Sequence, residues 1–78
     1  MKEFAIQLSC VQDVQDFVSL ATEKPFLVHV RDLYREVNGK SFLEMFCLNF
    51  AHPLTAVVEC GEEDLRQIRT EMHKYLAE

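Results

Sequence analysis

The chain has 78 residues, 49% of them hydrophobic, and a formal net charge of −5 at pH 7. The hydrophobic content is typical of a folded chain, and the length fits one small domain spanning residues 1–78. The acidic balance argues against direct binding to nucleic acid or to an anionic membrane, since both need clustered Lys and Arg.

The first half of the chain predicts a strand, a helix and a hairpin. KEFAIQL, residues 2–8, alternates between apolar and other residues, as a half-buried strand does. Ser9 followed by Gln12 is a capping-box pattern, and apolar residues then recur at helical spacing until Pro25 ends the helix. FLVHV and YREV then predict two strands, with RDL as the turn between them.

The second half predicts a short helix, a strand and a longer helix. Ser41 with Glu44 is another capping box, which opens a helix of about two turns over FLEMFCL. LTAVVEC predicts the fourth strand, and residues 62–78 predict an amphipathic helix. The inward residues of that last helix are predicted to be Leu65, Ile68, Met72, Tyr75 and Leu76. The order β-α-β-β-α-β-α predicts an α+β fold, with three helices on one face of a four-stranded antiparallel sheet.

Gly39, Lys40 and Ser41 form a tripeptide that also ends phosphate-binding loops of the GxxxxGK[ST] type. The first glycine of that motif would fall at Tyr34, and no glycine precedes Gly39 in the chain. A nucleotide-binding loop is therefore excluded. A strand-to-helix junction is favoured over a hairpin turn at Asn38-Gly39, because the residues that follow do not alternate. Gly39 is expected to ease the backbone bend there.

The cysteines and histidines do not indicate a metal or catalytic centre. Cys10, Cys47 and Cys60 are far apart and form no CxxC pair, so neither a disulfide framework nor a zinc site is predicted. The spacing of the three histidines suggests no ligand set or acid–base pair. Because the sequence has neither an apolar signal core nor a run of membrane-spanning length, we expect a cytoplasmic protein. We also expect no cofactor.

Cys10 has two interpretations, because it falls at the start of the first helix. Backbone N–H groups there lower a thiol pKa and can hold an anion. Alternatively, Cys10 is only a small, partly buried residue. The sequence leaves both interpretations open.

The segment VNGKSFLEMFCLNF, Val37–Phe50, resembles the V-N/D-A-K-S-I-L-G-L-L-S-L stretch of the histidine-containing phosphocarrier protein HPr of the bacterial sugar phosphotransferase system. The similarity runs without gaps from about Ser9 to the end of the chain. It includes DFVSLA in the first helix and CGEED at the entry to the last. The resemblance implies the open-faced sandwich of that family, with the element order predicted above.

The chain departs from the family at the site that carries phosphate. HPr has GLHTRP after its first strand, whereas this chain has SCVQDV. Cys10 takes the place of the carrier histidine, and Gln12 that of an arginine suited to phosphate. Histidine phosphorylation at this position is therefore excluded. Asp13 and Asp16 make the region polar and acidic, which is unfavourable for a phosphate and for the acidic enzyme I.

Ser41 aligns with the serine that a dedicated kinase phosphorylates in many Gram-positive relatives. A phosphate at a helix N-cap interacts favourably with the dipole and the free N–H groups, so it need not disrupt the fold. The alternative is that Ser41 is only an N-cap, worth about 1 kcal/mol. The capping role is expected in either case.

The helix after Ser41 is apolar on all sides, so some of its residues should be exposed. By the resemblance, Phe42, Leu43 and Phe46 form a docking surface for partners, and Gln12 is predicted to be a partner-binding residue as well. Met45 and Leu48 are expected in the core. An exposed apolar cluster is itself a reason to expect a partner, or a homodimer.

The hypothesis is a regulatory, protein-binding module of the HPr type that has lost phosphocarrier chemistry. Without the carrier histidine it is not expected to be an enzyme, and its expected partners are a serine kinase and a transcription regulator. The first alternative is a sugar-transport phosphocarrier that uses Cys10 as the acceptor. The second is an interaction domain that kept only the scaffold.

Overall fold

A computed structural model of the chain describes residues 2–77. Its elements in chain order are β1 (Lys2–Ile6), α1 (Val11–Thr22), β2 (Val28–Arg31), β3 (Glu36–Asn38), α2 (Phe42–Met45), β4 (Leu54–Val58) and α3 (Glu62–Glu71), followed by a 3₁₀ turn at His73–Tyr75. The predicted α+β class and the predicted order of strands and helices are confirmed.

The four strands form one antiparallel sheet in the order β1-β4-β2-β3. β4 is paired on both sides, with β1 from Lys2↔Val58 to Ile6↔Leu54 and with β2 along its other side. β2 and β3 form a hairpin. The crossover from β1 to β2 therefore contains α1, and that from β3 to β4 contains α2.

One face of the sheet shares a single apolar core with the helices. The strands contribute Phe4, Ile6, Val28, Val30, Val37, Leu54, Ala56 and Val58. The helices contribute Val14, Phe17, Ala21, Met45, Ile68 and Met72, and Tyr75 follows from the 3₁₀ turn. Because all these residues belong to one cluster, the structure is compatible with a two-layer sandwich.

The other face of the sheet carries charged side chains. Arg31 places Nη2 2.9 Å from the Glu3 carboxylate, and its Nη1 lies 3.7 Å from Glu36. Val57 is buried on this face, where its register partners on the neighbouring strands are Glu3 and His29. The strand alternation predicted from the sequence thus separates an apolar face from a charged one.

The predicted cap of the first helix is wrong. Cys10, not Ser9, is the N-cap residue of α1, and its side chain makes no capping hydrogen bond. The Ser9 N–H donates to the Asp13 carboxylate at 2.8 Å. Asp13 is the third helical residue, where a capping box places its acceptor, but it accepts from the residue before the cap and not from Cys10 itself. The predicted Ser9–Gln12 box does not form.

α2 has one turn instead of the predicted two. After Met45 the chain continues through i→i−3 hydrogen bonds at Cys47 and Leu48, and the Asn49 N–H then donates to the Asp32 carboxylate at 2.9 Å. That bond holds the chain against the β2–β3 hairpin, so the helix cannot continue.

The last helix is also shorter than predicted, because the end of the chain pairs with β1. The Gln7 N–H donates to the Tyr75 carbonyl at 2.7 Å, and the Ala77 N–H donates to the Ala5 carbonyl at 3.0 Å. An isolated bridge joins Ile6 and Leu76 between them. Backbone groups used in this way are no longer available to a helix.

Gly39 lies at the predicted strand-to-helix junction, but glycine is not needed there to ease a backbone bend. Its φ is not positive. Its N–H donates to the Val28 carbonyl at 2.8 Å, and a Cβ at Gly39 would lie 2.9 Å from a Val28 methyl carbon. Glycine is therefore required by the close approach of β2.

Candidate functional site

A shallow groove lies between the start of α1 and the end of α2. Its volume is about 210 Å³. Its lining residues are Leu8, Ser9, Cys10, Val11, Val14, Phe46 and Phe50. Val11, the first residue of α1, is 56% exposed and lies on the wall of the groove. The fold thus brings Cys10 and Phe46 to the same groove although they are far apart in the sequence.

The patch predicted on α2, consisting of Phe42, Leu43 and Phe46, is exposed to different degrees. Leu43 is 81% exposed and Phe46 43%, whereas Phe42 is half-buried. The Phe46 ring contacts the Phe42 ring edge to face, with 4.8 Å between the ring centroids. The centroids of the Phe46 and Phe50 rings are 6.4 Å apart. We refer to Phe42, Leu43 and Phe46 as the α2 patch.

The predicted division of the apolar residues around α2 is confirmed for four residues, whereas Phe42, predicted on the exposed side, packs partly against the core. Met45 is fully buried and Leu48 nearly so, while Leu43 and Phe46 face solvent. A one-turn helix on a sheet has a single inward side. An apolar sequence on every side therefore leaves apolar groups exposed.

Ser41 caps α2 as predicted. Its backbone is extended, and its Oγ accepts a hydrogen bond from the Glu44 N–H at 3.3 Å. The Glu44 carboxylate accepts from the Asn38 N–H at 3.1 Å, rather than from Ser41 as a reciprocal capping box requires. The Ser41 N–H donates instead to the Asn38 carbonyl at 3.0 Å. A carboxylate thus already occupies the entry to α2.

The start of α1 carries Cys10, Gln12 and Asp13, which the sequence singled out as a candidate site. Cys10 is exposed, and its carbonyl accepts from the Val14 N–H at 3.3 Å. Gln12 is exposed as well, and its Nε2 donates to Asp16 at 2.9 Å. The Asp13 carboxylate holds the Ser9 N–H. One N–H of the Gln12 amide is therefore engaged with a carboxylate, which brings negative charge next to the group that could otherwise contact an anion.

The histidines and cysteines do not assemble into a metal site. Within residues 2–77, no group of three or more His, Cys, Asp or Glu side chains could hold a metal ion. His29 lies on the charged face, 3.9 Å from both Glu36 and Glu59. Burial raises the pKa of the half-buried Cys60, with the nearby Asp64 acting in the same direction.

A second, larger cleft was not predicted from the sequence. It has a volume of about 570 Å³ and lies between the tip of the β2–β3 hairpin and the loop that precedes β4. Its lining residues are Arg31, Asp32, Leu33, Tyr34, Asn49, His52, Pro53 and Thr55. We refer to it as the hairpin cleft. The sequence gives only a weak signal of it, the apolar pair Leu33-Tyr34, where the predicted turn RDL meets the predicted strand YREV.

Asp32 joins the two walls of the hairpin cleft. Its carboxylate accepts N–H bonds from Tyr34 at 2.8 Å and Arg35 at 2.9 Å within the hairpin, and from Asn49 at 2.9 Å across the cleft. The bonds from Tyr34, Asn49 and Arg35, in that order of size, lower the pKa of Asp32. Hydrogen bonds to the charged form of a carboxyl group favour that form.

No helix among residues 2–77 combines the length and the apolar character needed to cross a bilayer. No protein-family model matches the chain, and a search of curated proteins finds no match.

Proposed function

We propose that the chain is an HPr-like regulatory module that binds a protein partner through the α2 patch and the adjoining groove. The observation that carries this proposal is the exposure of Leu43 and Phe46 beside a groove that also contains Cys10. Exposed apolar clusters next to a concave surface are typical of protein-binding sites. In this proposal the two-layer fold is the open-faced sandwich of HPr.

Loss of the carrier reaction follows from the side chains at the start of α1. Cys10 stands where the resemblance places the phosphorylated histidine, and Gln12 stands where it places an arginine. Asp13 and Asp16 add two carboxylates to the same helix end. A phosphoryl group would meet like charge there, so this surface is better suited to binding than to phosphoryl transfer.

The same charges describe the partner. A complementary surface would offer an apolar side chain to the groove and Lys or Arg side chains to Asp13 and Asp16. By the resemblance, such a partner would be a transcription regulator. A second copy of this chain is a poorer fit, because it would bring its own carboxylates to the interface.

The test is photo-crosslinking in cells that express the chain with p-benzoylphenylalanine in place of Leu43. We expect a discrete covalent adduct with a protein, identified by mass spectrometry and lost when Phe46→Ser is added. The matched control places the crosslinker at Leu27, which is 56% exposed but outside the patch. Equal adducts from both positions, or none from Leu43, would contradict docking through the α2 patch. An adduct with the chain itself, together with dimers in sedimentation, would replace the partner by a homodimer.

Ser41 is proposed as a switch for this binding. A phosphate on Ser41 would lie beside the Glu44 carboxylate at the edge of the α2 patch, and it would strengthen docking by adding negative charge opposite a partner that offers Lys and Arg side chains. Incubation with an HPr serine kinase and ATP, followed by mass spectrometry, tests this role. If Ser41 stays unmodified, the switch is rejected and only the capping role of Ser41 remains.

A second candidate is a phosphocarrier that uses Cys10, favoured by the exposed position of this thiol at the N-terminus of α1. In that reaction the Cys10 sulfur would attack the phosphorus of phosphorylated enzyme I, forming an S–P bond as the N–P bond to the enzyme breaks. Incubation with enzyme I and phosphoenolpyruvate tests it. Label on Cys10 that is abolished in Cys10→Ala would replace the binding proposal.

A further inference from the structure

The hairpin cleft is separate from the groove beside α2, and the two share no lining residue. Its floor is the charged face of the sheet, where Arg31 and Thr55 are register partners on β2 and β4. A volume of about 570 Å³ lies within the range of small-molecule sites, roughly 300–1,000 Å³. This cleft plays no part in the proposed docking function.

The rim of the cleft is apolar. Leu33 is 80% exposed and Tyr34 84%, which makes them two of the most exposed large hydrophobic residues of the chain. Pro53 lies on the opposite wall. An aliphatic or aromatic body placed between these walls would remove three apolar side chains from water.

Several hydrogen-bond donors face the cleft, from Arg31, Asn49 and Thr55, while the Tyr34 hydroxyl and the His52 imidazole can donate or accept. The one lining carboxylate, Asp32, is already occupied by three backbone N–H groups. The Asn49 amide oxygen accepts from the Ala51 N–H at 2.9 Å, which leaves the Asn49 NH₂ group to donate. The Thr55 hydroxyl has no hydrogen-bond partner among residues 2–77. Arg31 adds guanidinium N–H groups beside it.

We propose that the hairpin cleft binds amphipathic carboxylates. The apolar body of the ligand packs between Leu33, Tyr34 and Pro53, and its carboxylate accepts hydrogen bonds from Thr55, Asn49 and Arg31. Because Arg31 is already paired with Glu3 and Glu36, and Asp32 lines the same cleft, binding relies on directed hydrogen bonds and apolar packing instead of net charge attraction. A ligand of about 15 non-hydrogen atoms is therefore expected to bind with a Kd on the order of 1 mM.

The test is an amide NMR titration of the full, ¹⁵N-labelled chain with N-acetylphenylalanine, with N-acetylphenylalaninamide as the matched neutral probe. We expect saturable shifts in residues 31–34 and 49–55 with the acid, and binding at least about fivefold weaker with the amide, because the amide loses the charged acceptor. The site is rejected if the acid gives no saturable shifts there, if acid and amide bind equally, or if the shifts centre on the groove beside α2.

Two variants and one pair of peptides complete the test. Thr55→Val keeps the side-chain shape but removes the hydroxyl, and we expect it to weaken the acid about threefold or more; Leu27→Ala, outside the cleft, should not change binding. Unchanged affinity in Thr55→Val would overturn the assigned polar contact.

A tetrapeptide ending in phenylalanine, with a free or an amidated C-terminus, distinguishes a protein chain end from a small free acid. Tighter binding of the free-ended peptide than of N-acetylphenylalanine identifies the chain end as the source, and equal or weaker binding identifies the small acid.

Discussion

Close packing of the β2–β3 hairpin requires a residue without a side chain at position 39, which is Gly39. A Cβ there would lie 2.9 Å from a Val28 methyl carbon and 3.2 Å from the Val28 carbonyl oxygen. Val28 is buried in the core, so it cannot move away freely. We expect Gly39→Ala to lower the free energy of unfolding by about 1–3 kcal/mol, as overpacking does. Urea denaturation measures this change.

Gly61→Ala is the matched control for Gly39→Ala. No atom lies within 4 Å of a Cβ at Gly61, which caps α3 without a side-chain hydrogen bond. We expect a loss below about 1 kcal/mol, since alanine is only a somewhat poorer cap than glycine. Equal losses in the two variants would mean that the contact with Val28 is not the cause.

Asp32 should make the stability of the protein depend on pH in the acid range. Its pKa is lowered from the ordinary value of 3.8 by three backbone N–H bonds. A carboxyl group whose folded pKa is depressed stabilises the fold above its ordinary pKa. That contribution is lost as pH falls through the lower folded value. The hairpin cleft should therefore loosen on acidification.

Comparison of the wild type with Asp32→Asn isolates this effect. At about pH 6 we expect the variant to be less stable, and the difference should shrink towards zero as the pH falls to about 2. Chemical denaturation across this range measures it. Glu63→Gln, in the exposed first turn of α3, is the control for loss of a surface carboxylate, and at about pH 6 it should be destabilised less than Asp32→Asn. A pH-independent loss in Asp32→Asn would contradict the assignment to the ionised carboxylate.

At the scale of the elements, α2 is a one-turn helix that depends on its cap. Ser41→Ala removes the acceptor of the Glu44 N–H, and we expect a loss of about 0.5–1 kcal/mol, at the lower end for caps because the bond is 3.3 Å long. Ser41→Asp keeps an acceptor and should stay closer to the wild type. Urea denaturation compares the three proteins. An alanine variant as stable as the wild type would show that Glu44 and Asn38 hold the turn without Ser41.

Local patterns in the sequence predicted the elements but not all of their ends. The period-two alternation in β1 and the cap at Ser41 are local signals, and both are confirmed. The ends of α2 and α3 depend on bonds to distant residues, from Asn49 to Asp32 and from Gln7 to Tyr75. Such contacts override helical periodicity, and no window of neighbouring residues reveals them.

The α2 patch and the hairpin cleft also differ in whether local sequence patterns could predict them. The exposure of the α2 patch could be predicted, because a short helix that is apolar on every side cannot bury all of them. The hairpin cleft could not be predicted, since its walls come from a turn and a loop about 17 residues apart. Asp32 joins those walls, and in the sequence it is indistinguishable from any aspartate in a turn.

At the scale of the whole molecule, nearby segments engage part of the backbone at both edges of the sheet, at Asn38 on β3 and at the end of β1. Along β3, the Asn38 N–H is held by the Glu44 carboxylate and the Asn38 carbonyl by the Ser41 N–H. Along β1, residues 75–77 pair with the strand through the bonds at Gln7 and Ala5. Covered edges protect a sheet from pairing with other chains.

Removal of residues 76–78 should uncover the β1 edge. The truncated chain loses the bond from Ala77 to Ala5 and the packing of half-buried Leu76, so we expect it to be less stable by about 1–2 kcal/mol. It should also self-associate with rising concentration in sedimentation, because unpaired N–H and C=O groups on β1 can then pair with a second copy.

Leu76→Ala in the full chain separates the two effects. This variant loses the side chain but keeps the backbone bonds, so it should be destabilised and remain monomeric. Self-association of Leu76→Ala, or none in the truncated chain, would show that the backbone pairing does not protect this edge.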